Sequence, residues 1–244
     1  MDHSFINLQR ACATLAVSVA STFAVAPAAQ ANEVSAGQGI AAHGTAQGVA
    51  ACIGCHGAKG EGNAAAGFPR LAGLSAAYLS TQLTAFADGT RPNPIMQPMA
   101  KLLTASERAA VASYFAGLPS PALAKASGSG YVTPSDVGAW IATRGRWDQA
   151  LPACVQCHGP GGIGVAPTFP PLAGQPAAYI ASQLHDWKDG KRPPGPMALM
   201  PVVASKLSDA DITAVADYYA GVGVGVGVAV GVNGAGKSAN GSKP

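Results

Sequence analysis

Two short segments, CIGCHG at residues 52–57 and CVQCHG at residues 154–159, carry the residue types best suited to covalent or metal chemistry in this chain. In each segment two residues separate a pair of cysteines, and a histidine follows the second cysteine directly. Three chemistries use this cysteine spacing: a redox-active dithiol, half of a zinc site, and covalent attachment of a haem. The rest of the sequence decides among them.

The N-terminal segment predicts export from the cytoplasm. Arg10 is followed by an apolar run at residues 11–26, and Ala29-Gln30-Ala31 has the small residues of a signal-peptide cleavage site. The run is shorter than the roughly 20 apolar residues that span a bilayer, so a cleaved signal peptide at 1–31 is favoured over a membrane anchor. We therefore expect a mature chain without a transmembrane segment in a Gram-negative-type periplasm. Any membrane association would come through its partners.

Cleavage after Ala31 also removes Cys12, which leaves four cysteines, all in the two motifs. No cysteine then remains for a structural disulfide elsewhere in the chain. An oxidising compartment would tend to close a free C-x-x-C pair. We therefore expect both pairs to be held in another kind of covalent bond.

The two halves of the chain are similar along most of their length, which indicates a tandem repeat. FPRLAG at 68–73 corresponds to FPPLAG at 169–174, and VASYFAG at 111–117 corresponds to VADYYAG at 215–221. A stretch rich in Pro, Ser, Gly and Ala separates the copies and predicts a linker. The predicted boundaries are a first domain at 33–120, a linker at 121–130, a second domain at 131–222 and a low-complexity tail at 223–244.

Apolar periodicity predicts three helices in each copy and little strand. They cover residues 35–49, 75–88 and 105–116 in the first copy, and 135–143, 176–189 and 209–220 in the second. Thr104 with Glu107, and Ser208 with Asp211, resemble capping boxes at the start of the third helix. Three short helices joined by Gly- and Pro-rich loops bury little apolar area, so a large apolar ligand is expected to complete each core.

This context selects covalent haem attachment among the three chemistries. A thioredoxin-like dithiol requires a βαβ unit, and a zinc module would lack two of its four ligands because the two cysteine pairs are 102 residues apart. In a c-type haem site the two thiols add to the haem vinyl groups, and the following histidine binds the iron. The sequence therefore predicts two covalently bound haem c groups, attached through Cys52, Cys55, His56, Cys154, Cys157 and His158.

Methionines are the best candidates for the second axial ligand of each iron. All four methionines of the predicted mature chain lie in corresponding loops of the two copies. The spare histidines, His43 and His185, do not correspond to each other and are expected at the surface. Met96 and Met200 each lie seven residues before a leucine that precedes the third helix.

A gap-free offset of 101 residues would pair the methionines differently, Met96 with Met197 and Met99 with Met200. Counting back from the third helix is favoured because that helix packs on the haem and fixes the position of the loop. The predicted iron ligands are therefore His56 with Met96 and His158 with Met200. Met99 and Met197 are the alternatives.

Each half resembles a class I cytochrome c domain, on the evidence of its C-x-x-C-H motif, its FPRLAG or FPPLAG segment, its methionine loop and its last helix ending in SYFAG or DYYAG. The tandem pair is similar to the dihaem cytochrome c4 family of bacterial periplasms. The resemblance covers the chain to about Gly221 and implies an all-α fold, with a few helices wrapped around one haem in each domain. It also implies that Arg91 and Arg192 lie near haem propionates; the alternative is that each is a solvated arginine of a loop.

The expected haem pockets have apolar walls drawn from both copies. In the first copy these residues are Leu71, Leu74, Tyr78 and Phe86, and in the second they are Leu172, Tyr179 and Trp187. With histidine and methionine on both irons, no coordination position stays open for oxygen or peroxide. The expected function is therefore electron transfer and not enzymatic catalysis.

The expected partners are redox proteins, with a quinol-oxidising complex or a dehydrogenase as donor and a terminal oxidase as acceptor. The alternative is a cytochrome c subunit of a periplasmic dehydrogenase complex. A third hypothesis, a sensor that binds small ligands at the iron, would require a weakly held methionine.

The net charge and the C-terminal tail give little information about the function. The formal net charge is +3, and the lysines and arginines are scattered without a basic stripe, which does not favour nucleic-acid binding. The alternating Val-Gly sequence after Gly221 is typical of a disordered tail, with a short edge strand or a contact segment as the alternative.

Overall fold

The computed structural model describes residues 26–120, 136–195 and 197–223, and within these ranges the chain is helical with only isolated β-bridges. The first repeat contains α1 (Ala26–His43), α2 (Ile53–His56), α3 (Ala76–Asp88), α4 (Met96–Leu102) and α5 (Ala105–Gly117). The second contains α6 (Val137–Arg144), α7 (Val155–His158), α8 (Ala177–Lys188), α9 (Leu199–Ser205) and α10 (Asp209–Gly221). Each helix of the first repeat thus has its counterpart five helices later. Short 3₁₀ turns lie at Trp147–Gln149 and Pro160–Gly162.

The longer helices agree with the sequence prediction within two residues, except for α1. That helix was predicted at 35–49 but ends at His43, so the prediction was wrong at both ends. Gly44 has a φ of +73°, and a Cβ there would lie 1.9 Å from the carbonyl oxygen of Val49. The chain therefore turns sharply at Gly44 and folds back on itself. The short helices α2, α4, α7 and α9 were not predicted, because four to seven residues are too few to show a period.

The ends of the described ranges leave several predictions untested. The predicted cleavage point after Ala31 lies inside α1, and residues 1–25 of the predicted signal peptide lie outside the described residues. The predicted linker at 121–130 and residues 224–244 of the predicted tail also lie outside them, so the domain boundaries stay predictions. None of the helices in the described ranges is both long and apolar enough to cross a membrane.

The first and last helices of each repeat cross at a glycine. A Cβ built on Gly37 of α1 would lie 2.0 Å from the carbonyl oxygen of Ala110 in α5. In the second repeat, a Cβ on Gly138 of α6 would lie 2.1 Å from the carbonyl oxygen of Ala214 in α10. Because both neighbours are backbone atoms, a side chain at either glycine can fit only if the two helices move apart.

Gly37→Ala will therefore destabilise the first repeat, although alanine is the better helix former. The overpacking costs about 1–3 kcal/mol in the free energy of unfolding. Gly39→Ala is the matched control, because Gly39 lies in the same helix and no atom lies within 4 Å of its Cβ position. It should be neutral or stabilising by up to about 1 kcal/mol. Urea unfolding of both variants measures the difference, and equal effects would contradict the crossing geometry.

Both predicted capping boxes are confirmed. The Thr104 side chain accepts a hydrogen bond from the Glu107 amide, and Glu107 accepts from the Thr104 amide; Ser208 and Asp211 form the same reciprocal pair. In the second repeat the carboxylate of Asp211 also binds an arginine, because Arg146 donates to both of its oxygens at 2.6 and 2.7 Å. These bonds from Arg146, opposed by burial and supported by Ser208, lower the pKa of Asp211 to about 2.

Asp211→Asn should therefore cost the protein about 2 kcal/mol of stability at neutral pH. The pKa of this carboxyl is depressed in the folded state, so its contribution is present above pH 4 and is lost as the pH falls towards 2. Wild type and variant should thus converge in stability near pH 2. Glu107→Gln is the control in the first repeat, where Thr45 occupies the position of Arg146; its effect should be smaller. Urea unfolding at pH 7 and at pH 2.5 tests both, and a constant difference between Asp211→Asn and wild type would contradict the assignment.

Candidate functional site

Each C-x-x-C-H motif folds into a single helical turn. The carbonyl oxygen of Cys52 accepts from the amides of Cys55 and His56 at 3.3 and 2.9 Å, and that of Cys154 accepts from Cys157 and His158 at 3.2 and 2.9 Å. One turn brings residues three and four positions apart to the same face. The two thiols and the imidazole of each motif are therefore presented together. All four cysteines are free of disulfides.

The two histidines are held in the tautomer that a metal ligand requires. His56 and His158 are buried, and each Nδ1 lies close to a backbone carbonyl, that of Pro69 at 2.9 Å and that of Pro170 at 2.7 Å. Since a carbonyl only accepts, Nδ1 must carry the proton and Nε2 keeps its lone pair. Burial lowers the pKa of both imidazoles, against the opposing effect of these hydrogen bonds, which favours the neutral ring.

Burial also keeps the first cysteine of each motif in the thiol form. It raises the pKa of Cys52 above its ordinary value and that of Cys154 to about 11.

A large apolar cavity lies against the second motif. It encloses about 1170 Å³ of empty space, its open mouth included, and Cys154, Cys157 and His158 line it. Its other walls include Leu172, Tyr179 and Trp187, which the sequence predicted for this haem. Leu74 and Tyr78 of the first repeat also line it. These two residues were expected at the first haem, and the structure shows that they pack in the first core and close the second cavity as well.

The methionines differ in their relation to this cavity. Met200 lies at the start of α9, is partly buried against the second core and lines both the cavity and the adjoining cleft. Met197 is more than half exposed and borders the cleft. Met200 lies one helical turn before Ala204, which is fully buried. In the first repeat Met96 lies one turn before Ala100, which is also fully buried.

In this shared register Met99 corresponds to Val203 of the second repeat, and not to a methionine. Val203 is an apolar wall of the second cavity. Met96 and Met99 are both partly buried, so exposure alone does not separate them. The spare histidines lie at the surface as expected, with His43 exposed and the His185 side chain 44% exposed. The ligand roles of the methionines, cysteines and histidines stay predictions.

Six polar residues form a cluster between the two repeats, and Tyr78, Gln82 and Arg91 correspond in it to Tyr179, Gln183 and Arg192. Arg91 donates to Gln82 of its own repeat and to Tyr179 and Gln183 of the other. Arg192 donates to Tyr78 at 2.9 Å and to Gln82 at 3.3 Å. Each guanidinium also stacks on an aromatic ring of its own repeat, Phe86 or Trp187. The exchange across the interface is reciprocal, as expected of two domains related by an approximate two-fold axis.

This interdomain cluster supplies a test of whether the residues fit a haem. Arg91 and Arg192 are both buried, and their partners are neutral amide and phenol oxygens. Among the described residues neither arginine forms an ion pair. Two buried cations without a carboxylate are costly. Haem propionates would bring the missing negative charge, so the donor set fits two bound haems.

Comparisons with known proteins agree with this geometry. Residues 37–119 match the family model for cytochrome c, and residues 142–218 match the model for subunit III of cbb3-type cytochrome c oxidase. The chain is 37% identical over 188 residues to cytochrome c4 of Pseudomonas aeruginosa, covering 75% of this chain and 89% of that protein. The chain belongs to the dihaem cytochrome c4 family. As a member it is an all-α protein of two cytochrome c domains with two covalently bound haem c groups.

Two further relatives of this cytochrome are linked by name to one enzyme. The thiosulfate dehydrogenase electron acceptor of Stutzerimonas stutzeri is 49% identical over 173 residues, which cover 71% of this chain and 79% of that protein. The structure of a thiosulfate dehydrogenase from Marichromatium purpuratum superposes with a TM-score of 0.69 at 44% identity. The match covers 77% of this chain and only 40% of that longer chain.

Sequence reasoning missed the interdomain cluster as a unit, although a signal for it was present. The tyrosine, glutamine and arginine recur at a constant offset of 101 residues in both repeats. Polar residues that recur at one offset, beside the apolar positions of a helix, indicate a shared polar contact. The sequence did not show that each arginine forms hydrogen bonds with the tyrosine and the glutamine of the other repeat.

Proposed function

We propose that this cytochrome is a periplasmic electron carrier that accepts electrons from a thiosulfate-oxidising dehydrogenase and passes them to a terminal oxidase. The observation that carries the donor assignment is the 49% identity to an electron acceptor of thiosulfate dehydrogenase, higher than the 37% identity to a cytochrome c4. This similarity favours a dehydrogenase over a quinol-oxidising complex as the donor.

The chain's own residues fix how such a carrier works. Cys52, Cys55, Cys154 and Cys157 would hold the two haems through thioether bonds, and His56 and His158 would bind the irons through Nε2. Met96 and Met200 would be the second protein ligands. Each haem would supply a one-electron iron couple. A histidine and a methionine on each iron would leave no open position for a substrate, which is the physical reason to propose a carrier and not an enzyme.

The interdomain cluster supports transfer within the molecule. Arg91 reaches Tyr179, and Arg192 reaches Tyr78, so the two domains are fixed to each other beside the cavity of the second motif. A fixed arrangement keeps the geometry between the haems constant from one transfer to the next. An electron that enters at one haem can then leave from the other.

A stable subunit of a dehydrogenase complex is the second candidate. The observation in its favour is the superposition of this chain on two fifths of a longer thiosulfate dehydrogenase chain. A carrier docks weakly through a small surface, whereas a subunit stays bound.

One experiment with two readouts tests these proposals. Oxidised, purified protein is mixed with purified thiosulfate dehydrogenase and thiosulfate, and haem reduction is followed by stopped flow. Rapid reduction that depends on both components is expected, with thiosulfate alone as the control. Gel filtration of the same mixture should give separate peaks for a carrier and one stoichiometric peak for a subunit. No reduction by the dehydrogenase, with rapid reduction by a quinol-oxidising complex, would contradict the proposed donor.

A further inference from the structure

Arg70 bridges equivalent atoms of the two repeats. It follows Pro69 in the FPRLAG segment, and its side chain is buried at 4% exposure. One guanidinium nitrogen donates to the carbonyl oxygen of Ala72, and another donates to that of Ala173 at 3.0 Å. Ala72 and Ala173 are the middle residues of the two corresponding L-A-G turns. The guanidinium therefore lies at the approximate two-fold axis that relates the domains.

Within the part of the chain that the structure describes, only the first repeat supplies this bridging cation, because the counterpart of Arg70 is Pro171. Proline has no side-chain donor, so the second repeat cannot return the contact. It supplies Gln175 instead, whose amide group accepts from the Arg70 backbone N–H and donates to the Arg70 carbonyl, both at 3.0 Å. The position corresponding to Gln175 in the first repeat is Leu74. The second domain thus holds both the backbone and the side chain of Arg70.

The guanidinium charge of Arg70 is buried away from water, and none of the described residues is an acidic partner for it. Burial lowers the pKa of Arg70 to about 10, which still leaves the side chain charged at neutral pH. Its described hydrogen bonds go to carbonyl oxygens, and its Nε is buried without a partner. A charge in such surroundings acts over a longer distance than one at the surface, because little water or salt screens it.

Both haem sites are connected to this charge in the same way. Ala72 lies three residues after Pro69, whose carbonyl accepts from His56, and Ala173 lies three residues after Pro170, whose carbonyl accepts from His158. A reduced haem carries one positive charge fewer than an oxidised haem. A nearby fixed cation therefore favours the reduced form and raises the reduction potential.

We propose that Arg70 supplies a buried charge shared by the two domains, and that this single charge raises the reduction potentials of both haems together. Because the cation is placed at the axis, it shifts both potentials without changing the difference between them. The proposal depends on the two bound haems and is independent of the identity of the electron donor.

Potentiometric titration of Arg70→Met tests this proposal, since methionine removes the charge and keeps an unbranched side chain of similar length. Both midpoint potentials should fall by similar amounts, while their separation stays close to that of the wild type. Arg70→Lys keeps the charge, and a lysine ammonium can donate to both carbonyls, so both midpoints should stay near the wild-type values. Arg70→Gln is a second neutral variant, and it keeps a hydrogen-bond donor. It should give the same result as Arg70→Met and replaces it in the titration if Arg70→Met folds poorly.

Arg108→Met is the matched control, because it removes the same charge away from the axis. Arg108 donates to the carbonyls of Ala100 and Leu103 within the first repeat only, so any shift should be confined to one haem. A fall in only one midpoint of Arg70→Met would show that the charge belongs to one domain and would overturn the proposal. Unchanged midpoints in a correctly folded Arg70→Met protein, with normal visible spectra, would overturn it as well.

Discussion

Met96→Leu and Met200→Leu will each remove about half of the weak near-infrared sulfur-to-iron band of the oxidised protein, since two haems with the same ligands contribute to it. The double variant will lack the band completely. Each single variant should also open one iron to carbon monoxide in the reduced state. Absorption spectra of the oxidised protein, and of the reduced protein with and without carbon monoxide, measure all three effects.

The physical basis of this result is the common register of α4 and α9. Met96 and Met200 each precede a fully buried alanine by one turn, so both side chains lie on the face that packs into the core. In that register Met99 is the counterpart of Val203, an apolar wall of the second cavity, and Met197 is 58% exposed. Neither Met99 nor Met197 therefore has a methionine at the corresponding position of the other repeat.

Met99→Leu and Met197→Leu are the controls, and both should keep the full band. Loss of half the band in Met99→Leu, with the band intact in Met96→Leu, would show that the register argument fails in the first repeat. Replacement by histidine adds an independent readout. Met200→His should lower the midpoint potential of one haem, within the range of about 0.8 V that axial ligands span.

Cys52→Ala will cost the first domain its normal haem attachment and destabilise its fold. One of the two thioether bonds is lost, and the core that remains is small, with the buried residues Ala41, Leu74, Leu79, Val111, Ala112 and Phe115. Since this core buries little apolar area, the haem is expected to supply much of the missing contact. Mass spectrometry of the intact protein, with far-UV circular dichroism for helix content, measures attachment and folding.

Cys12→Ala is the control for this substitution, because Cys12 lies in the predicted signal peptide. The mature protein should keep both haems and its full helix content. Two normally attached haems in Cys52→Ala would contradict the role of Cys52, and a lower haem content of mature Cys12→Ala would contradict cleavage before the first domain.

Local features of the fold could be predicted well from the sequence. The capping boxes at Thr104 and Ser208 are confirmed because a cap depends on residues within one turn, which the sequence displays directly. The end of α1 at His43 was missed because the turn at Gly44 depends on its contact with Val49, and apolar periodicity does not register such a contact. Val49 is buried, but as part of the turn and not of the helix.

The candidate site could be predicted only within each repeat. The cysteines, the histidines and the methionine loops are local to one copy, and the structure brings Met200 to the cavity of the second motif. The roles of Tyr78, Arg70 and Gln175 depend on how the two copies pack together. Nothing in a single repeat indicates that Tyr78 closes the cavity of the other domain, or that Arg70 donates to Ala173.

The most direct test of an electron carrier with two six-coordinate haems is an optical redox titration of the purified protein. We predict two one-electron steps, a sulfur-to-iron band for both oxidised haems, and no spectral change when carbon monoxide is added to the reduced wild-type protein at neutral pH. A single one-electron step, or a carbon monoxide complex formed without any substitution, would contradict this account.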